Sequence, residues 1–407
     1  MTTRPFNVEA IRCDFPSLDQ CVNGQPLVYL DSAATSQKPL SVIKCITDYY
    51  SGANANVHRG SHSLTASATQ RFESARQTVA DFIGASVDGM VWTRGATEAL
   101  NLIAQSYARQ ILKEGDEILI SEMEHHANIV PWQIVAEQTG AKIVKWPIDP
   151  VHCQLDMSVF DSLLNPRTKL VAVAHISNVT GTRNPIEAII KKAHGLGAIV
   201  VVDGAQAIVH ERINVKEMDA DFYVFSGHKL FAPAGIGALY GKPAMLEAMP
   251  PWHGGGKMVE NVSFEGTTYT SSPAKFEAGT PNVAGALALA EAITWLNGVD
   301  RDGAEKHIAS LQAQLVDGIK NIEDLSIIGL QAGASVVAFH IDGVHHSDIA
   351  TLLDQQGIAI RSGQHCAHPL MDALGISGCV RISIALYNTS DDIKHCITAI
   401  QKACDLL

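Results

Sequence analysis

Through the middle of the chain, short apolar runs rich in β-branched residues alternate with amphipathic segments. EILIS (117–121) precedes a helical stretch to about Thr139, and AKIVKW (141–146) follows it. TKLVAVAHIS (168–177) leads to a helix around Pro185–His194, and AIVVVDGAQ and DFYVFSGHK come next. This alternation predicts an α/β domain with a largely parallel sheet. Ligands of such a sheet sit at the carboxyl ends of its strands. After about Gly266 the pattern changes. NVAGALALAEAITWL (282–296) predicts a helix of small residues, and a second long helix spans about Asp302–Asn321. SVVAFHI (335–341), GIAIRS (357–362) and VRISIAL (380–386) predict short strands with helices between and after, a smaller α+β domain. The C-terminal helix carries the stripe Ile393, Ile397, Ile400 and Cys404, with Cys396 near it, so both cysteines are expected as core thiols.

Composition narrows the function. The 407 residues suit two or three domains, and 46% hydrophobic against 18% charged is an ordinary globular balance. A net charge of −12 without a long Lys/Arg run argues against nucleic acid and membrane surfaces as partners. No apolar run is long enough to span a bilayer, and the first residues carry no signal-peptide pattern, so the expected location is cytoplasmic. The 8 cysteines lack CxxC spacing, which disfavours both a disulfide framework and a cysteine-only zinc site.

Five stretches can carry chemistry. In VFSGHKL, Lys229 follows an apolar strand, with Ser226 and His228 before it. A Lys where a parallel sheet opens is partly desolvated and can act as an amine nucleophile or Schiff-base former. A plain surface Lys after a strand is the alternative. In IVVVDGAQA, Asp203 ends an apolar strand at the same sheet edge, as a helix cap or as the partner of a buried cation. A Lys and an acid on successive strand ends match pyridoxal 5′-phosphate (PLP), whose pyridine nitrogen takes an acid and whose carbonyl takes a Lys. Gln206 could reach the ring hydroxyl. In TRGATEALN, Gly95, Ala96 and Thr97 open a helix, either an anion site or an ordinary helix entry. Leu100, Ile103, Ala104, Tyr107 and Ile111 fit one face of that helix. In EMEHHANIVPW, His125 can lie over a ring or shuttle protons, and no zinc set is completed nearby. HHSD (345–348) is expected as a helix start with Ser347 or His346 near the cap, and HGGGKM (253–258) as a tight backbone passage without P-loop spacing. IRSGQHCAHPL (360–370) leaves Cys366 open as metal ligand, nucleophile or buried thiol.

Taken in order, YLDSAATSQKP, NVHRGSH, TRGATEALN, EHHANIVPW, SNVTGT, VDGAQA, DFYVFSGHKL, FEAGTPN, RSGQHCAHPL and RISIALYNT resemble the group II cysteine desulfurases. These are Suf- and Csd-type enzymes of the class V aminotransferase group, PLP fold type I. The Csd-like branch is nearest, from GGGKMV and GVHHSD. The resemblance implies a large domain with a mostly parallel seven-stranded sheet and a smaller α+β C-terminal domain. Residues 1–25 would pack with the small domain, 26–280 would bind PLP, and 281–407 would carry the persulfide cysteine loop.

It also implies roles. Lys229 would bond to PLP and act as base, with Asp203 on the pyridine nitrogen and Gln206 on the ring oxygen. His125 would stack on the ring and assist proton transfer. Thr97, Ser226 and His228, with the backbone of Ala96, would hold the phosphate. Thr280 would complete the phosphate site of a second subunit, and His58 would lie on the substrate side near that partner, implying a homodimer. Asn178 and Arg381 would bind the substrate carboxylate, with Arg361 close by. Cys366 would take sulfur from L-cysteine as a persulfide and pass it to a SufE-like acceptor protein, for iron–sulfur cluster assembly or another route. Selenocysteine lyase and cysteine sulfinate desulfinase are the alternative activities on the same site. Ala96 and Ala234 stand where the family often has hydroxyls, and weaker PLP binding at most is expected. The short cysteine loop, without a longer insertion, separates the chain from the Isc-like group I enzymes.

Overall fold

A computed structural model describes residues 5–407. Seven strands form the main sheet: β1 (Met90–Thr93), β2 (Glu117–Ser121), β3 (Lys142–Trp146), β4 (Thr168–Ala174), β5 (Ile199–Asp203), β6 (Phe222–Ser226) and β7 (Gly237–Gly241). Their order is β1-β7-β6-β5-β4-β2-β3, and only β7 runs against its neighbours. The sheet is therefore mostly parallel, as expected.

The continuous apolar runs have a physical cause. Val200 and Val202 point into one core, Val201 into the other, and all three are fully buried. Leu119 and Ile118, and Val171 and Leu170, divide between the two faces in the same way. A parallel sheet covered on both faces needs an apolar residue at every position, not at alternate ones. Each fully buried Val or Leu contributes about 1.5–3 kcal/mol relative to exposure.

Helices cover both faces. α1 (Ala96–Leu102) continues through a wide π turn at Ile103–Ala108 and a last turn at Arg109–Ile111, so the helical face predicted from Leu100 to Ile111 is interrupted. α2 (Val130–Thr139) follows β2. α3 (Ile186–His194) buries Ile186, Ile189, Ile190 and Ala193, the i, i+3, i+4, i+7 stripe of an amphipathic helix. α4 (Val283–Asn297) is capped by Asn282, which accepts from Gly285 N at 2.8 Å and donates to the Gly235 carbonyl at 3.0 Å. α5 (Arg301–Ile319) follows it.

A second, antiparallel sheet has the order β8-β9-β11-β10, with β8 (Leu325–Ile328), β9 (Val336–Ile341), β10 (Arg361–Gly363) and β11 (Cys379–Ser383). The predicted strand 357–362 is two pieces. Ile358–Ala359 pairs in parallel with Val28–Tyr29 near the N-terminus, and the chain then crosses to pair with β11. α6 (His368–Leu374) and α7 (Ser390–Leu406) complete this part, and a capping box of Thr389 and Asp392 starts α7. Cys396 is fully buried, and Cys404 is half-buried at the edge of the same core. The helix at His346–Asp354 is capped by His345, one or two residues before the position expected from HHSD. Among the described residues, no helix is long and apolar enough to cross a membrane.

Candidate active site

β4, β5 and β6 end side by side, with Asp203 registered against Ala174 on one flank and Val224 on the other. A cavity of about 250 Å³ opens over these ends. Its floor carries Asp203, Gln206 and Lys229; Ala96, Thr97, Ser226 and His228 line one end. His125 and Asn178 lie in its wall, with Arg361, Cys366 and Arg381 contributed by the second sheet and the loop after it. Twelve of the predicted site residues thus share one cavity. His58 and Thr280 do not line it: His58 Nε2 lies 2.9 Å from Glu73, and Thr280 is exposed just before α4.

The anion end is built by close approach. Gly95 has φ +154°, and a side chain there would meet Ser226 Oγ. A Cβ on Gly237 would come within 2.6 Å of Gly95 Cα. The two glycines let the α1 entry sit on the ends of β6 and β7. Ala96 N donates to Ser226 Oγ at 2.9 Å. The first helical turn brings Ala96 and Thr97 to the cavity end, where a helix entry offers N–H donors and the exposed Thr97 adds its hydroxyl.

The floor is electrostatically poised. Asp203 is 7% exposed, and its side chain accepts one bond, from Ala205 N at 2.9 Å. Burial raises its carboxyl above the usual range, and the positive charge of Lys229 opposes that rise. Burial brings the Lys229 amine down to about 8, against the pull of Asp203, so about a tenth of it is neutral at pH 7, far more than for an ordinary Lys. His125 is pushed down to about 4 by burial, then by Lys229, His126 and Arg381. Its Nδ1 accepts from Ala127 N at 3.0 Å, which leaves the ring proton on Nε2.

A ring with a phosphate arm, a basic nitrogen and a carbonyl fits this cavity: N–H donors at one end, an under-satisfied buried acid on the floor, and an amine beside it. PLP has those three groups. Ala96 lines the anion end beside Thr97 and Ser226, whose hydroxyls remain there, whereas Ala234 is exposed and does not line the cavity.

Cys366 sits in a loop of unusual backbone. His365 and Cys366 have φ of 53° and 56°, the left-handed region, which costs about 1–2 kcal/mol for each such residue. The conformation is held from both sides. Asn178 Nδ2 donates to the His365 carbonyl at 2.8 Å, and His126 N donates to the Cys366 carbonyl at 2.7 Å. Cys366 itself is exposed toward the cavity mouth. His365 Nε2 donates to the Cys379 carbonyl at 3.1 Å, leaving a buried Nδ1 without a partner. His368 stacks on His126 at 4.7 Å between ring centres, with Nδ1 at 2.7 Å from His126 Nε2. Among the described residues, no group of three or more His, Cys, Asp or Glu is placed to hold a metal ion.

Three contributors went unnoticed in the sequence. Asp31 bonds both Arg361 and Arg381. His126 anchors the Cys366 loop. Glu124, fully buried, accepts from Ser121 Oγ at 2.5 Å, Asn128 Nδ2 at 2.7 Å and Ala174 N at 2.9 Å, tying the ends of β2 and β4 beneath His125. A carboxylate just after the apolar pair Tyr29–Leu30 was the available signal for Asp31, since a charge there needs a partner.

A Lys and an acid on adjacent ends of a parallel sheet, below an anion cup and opposite an arginine pair, define a PLP-dependent enzyme of fold type I. The chain belongs to the class-V aminotransferase family, whose model matches residues 28–396. It is 65% identical over 403 residues to a probable cysteine desulfurase of Vibrio cholerae, covering 99% of this chain and all of that one. It is 46% identical over 404 residues to a cysteine desulfurase of Yersinia pestis, with 99% of each chain covered. Among solved structures, the cysteine desulfurase CsdA of Escherichia coli matches with a TM-score of 0.93 and 46% identity, over 99% of this chain and 100% of that one. A cysteine desulfurase from Thermococcus onnurineus matches with 0.94 and 36%, over the whole of both chains.

Proposed function

We propose that this protein is a PLP-dependent cysteine desulfurase, converting L-cysteine to L-alanine and holding the sulfur on Cys366 as a persulfide. The observation that carries the reading is the meeting of Lys229, Asp203 and Cys366 on one cavity. An aminotransferase needs the first two and has no use for an exposed cysteine at the cavity mouth. The high identity to proteins named cysteine desulfurase, over nearly full length, supports the same reading.

Bound PLP supplies the electron sink that makes the substrate Cα–H acidic. The residues do the rest. Arg381 Nε, buried and without a partner, is the free donor for the substrate carboxylate. Its Nη1 is already fixed by the Asn178 carbonyl at 2.9 Å. Asp203 holds positive charge on the cavity floor. The low pKa of Lys229 lets its Nζ take the Cα proton as general base. Neutral His125, with its proton on Nε2, is a donor in the wall and not a second cation. Cys366 Sγ attacks the substrate sulfur: an S–S bond forms, the C–S bond breaks, and the carbon fragment takes up protons to become alanine.

The remaining assignments follow from this reading. Thr97, Ser226, His228 and the Ala96 backbone hold the phosphate, and Gln206 the ring oxygen. His58 and Thr280, away from the cavity, serve the neighbouring active site of a homodimer. The sulfur passes to a SufE-like acceptor in the cytoplasm. The division into residues 1–25, 26–280 and 281–407 belongs to the same proposal.

Release of sulfide and alanine from L-cysteine in the presence of a thiol reductant tests the function. Stoichiometric production of both supports it. Wild-type protein saturated with PLP that produces neither overturns it.

A further inference from the structure

The segment YLDSAATSQKP links the small sheet to the turn that carries Lys229. Ala33 N donates to Ser383 Oγ, on β11, at 2.9 Å, and Gln37 N donates to the Tyr387 hydroxyl at 3.2 Å. From this anchored stretch, four donors converge on the carbonyl oxygen of His228: Ser36 N at 3.0 Å, Ser36 Oγ at 3.1 Å, Lys38 Nζ at 3.1 Å and Thr35 Oγ1 at 3.2 Å. That carbonyl belongs to the planar peptide that supplies the nitrogen of Lys229. Its orientation therefore sets the point from which the Lys229 side chain starts.

Lys38 differs from the other donors. Its Nζ also donates to the Ser36 carbonyl and, at 3.3 Å, to Thr35 Oγ1. Two carbonyl oxygens, one from each segment, thus point at one ammonium. Without a cation between them, the negative ends of two dipoles would face each other. Burial brings the Lys38 amine down to about 8, so most of it is charged at pH 7. Hydrogen bonds from a charged donor are roughly twice as strong as neutral ones.

The turn needs holding. Phe231, two residues after Lys229, has φ of 59°, the left-handed region, which is strained for a bulky side chain. Its N–H donates to Ser36 Oγ at 2.9 Å. Ser36, Lys229 and Phe231 also line a small second cavity of about 40 Å³, so the turn has space to relax into.

We propose that Lys38 is a positioning residue for Lys229: its ammonium draws the Ser36 and His228 carbonyls to one point and so locks the turn that carries the base. This deepens the desulfurase reading, in which Lys229 takes the Cα proton.

The test compares wild type with Lys38→Met, which keeps the apolar stem and removes the ammonium, both loaded with PLP. Peptide-resolved hydrogen exchange reads the amides of residues 230–232, with α3 as internal reference. In Lys38→Met these amides are expected to exchange about tenfold faster, the size of one lost charge-assisted hydrogen bond, while α3 stays unchanged. NMR then follows exchange of the Cα hydrogen of L-alanine with D2O, a reaction that needs Lys229 but neither Cys366 nor sulfur. It is expected to slow about tenfold, while the Kd of alanine, read from the cofactor's absorbance, stays within twofold. A general structural defect would weaken alanine binding as much as it slows the exchange. Amide exchange within twofold of wild type, or a loss of alanine affinity that matches the loss of rate, overturns the proposal. If Lys38→Met does not fold, Lys38→Gln, which keeps a neutral donor, takes its place with a threefold change as the threshold. The amide measurement needs no turnover, so it decides the lock even if cysteine yields no sulfide and the desulfurase reading fails.

Discussion

The backbone N–H of His126 donates to the carbonyl of Cys366 at 2.7 Å, so the turn after β2 grips the cysteine loop directly. The side chain reinforces this grip: His126 Nε2 accepts from His368 N at 3.2 Å and lies 2.7 Å from His368 Nδ1. The loop's left-handed residues make these contacts matter, because an unheld loop would relax.

His126→Ala removes the side-chain contacts and keeps the backbone one. Each lost hydrogen bond is worth about 1 kcal/mol, so the opened loop becomes about fivefold or more populated. Peptide-resolved hydrogen exchange reads this out at the backbone N–H of residue 126, bonded to the Cys366 carbonyl, and of Ala367, bonded to the Gln364 carbonyl at 2.9 Å, with the amides of α2 as internal reference. Exchange at the two loop amides is expected to speed up by about that factor while α2 stays unchanged. Unchanged exchange at both removes the anchoring role.

Lys229→Ala removes the general base. Turnover of L-cysteine is expected to fall by about 10²-fold to 10⁴-fold or more. Cys366→Ala also abolishes persulfide formation but leaves the cofactor spectrum intact. Steady-state sulfide release combined with absorbance spectra separates the two variants.

His125 is held down to about 4, mainly by burial. Its protonation therefore lies outside the range where an ordinary imidazole titrates. The pH profile of kcat/KM is expected to show no acid limb near 6.5 that His125→Gln removes; any limb assigned to His125 lies close to 4. A limb near 6.5 lost in that variant contradicts the assignment.

Glu124 links pH to stability. Burial raises its carboxyl to about 7 in the folded protein. Between the ordinary carboxyl value and about 7, the folded state retains a proton that the unfolded chain has released. Stability from this group therefore falls as pH rises through that window and levels off above it. Glu124→Gln has no such proton, so the unfolding free energy of wild type minus that of the variant should fall as pH rises from about 4.5 to about 7. Urea unfolding at a series of pH values measures it, and a difference independent of pH refutes the link.

The strands that read most clearly in the sequence, β2, β4, β5 and β6, have interiors buried on both faces, so their middle positions are apolar and the runs stand out between polar ends. β3 also reads as a run although it is largely exposed. MVWT and GALYG gave no such run: β1 has four residues, and β7 starts and ends with glycine for close packing. Lys229 and Asp203 were legible because each follows such a run. Asp31 was not, because its arginines lie 330 and 350 positions away and only the fold brings them together. The cap at His345 was missed because an imidazole nitrogen, not the Ser347 hydroxyl, accepts the first-turn N–H.

The most direct test is the mass of the peptide carrying Cys366 after the PLP-loaded protein meets L-cysteine without reductant. The account predicts one added sulfur atom on Cys366, an equal amount of alanine, and neither in Lys229→Ala. Alanine released while Cys366 stays unmodified, or added sulfur on another cysteine, would contradict it.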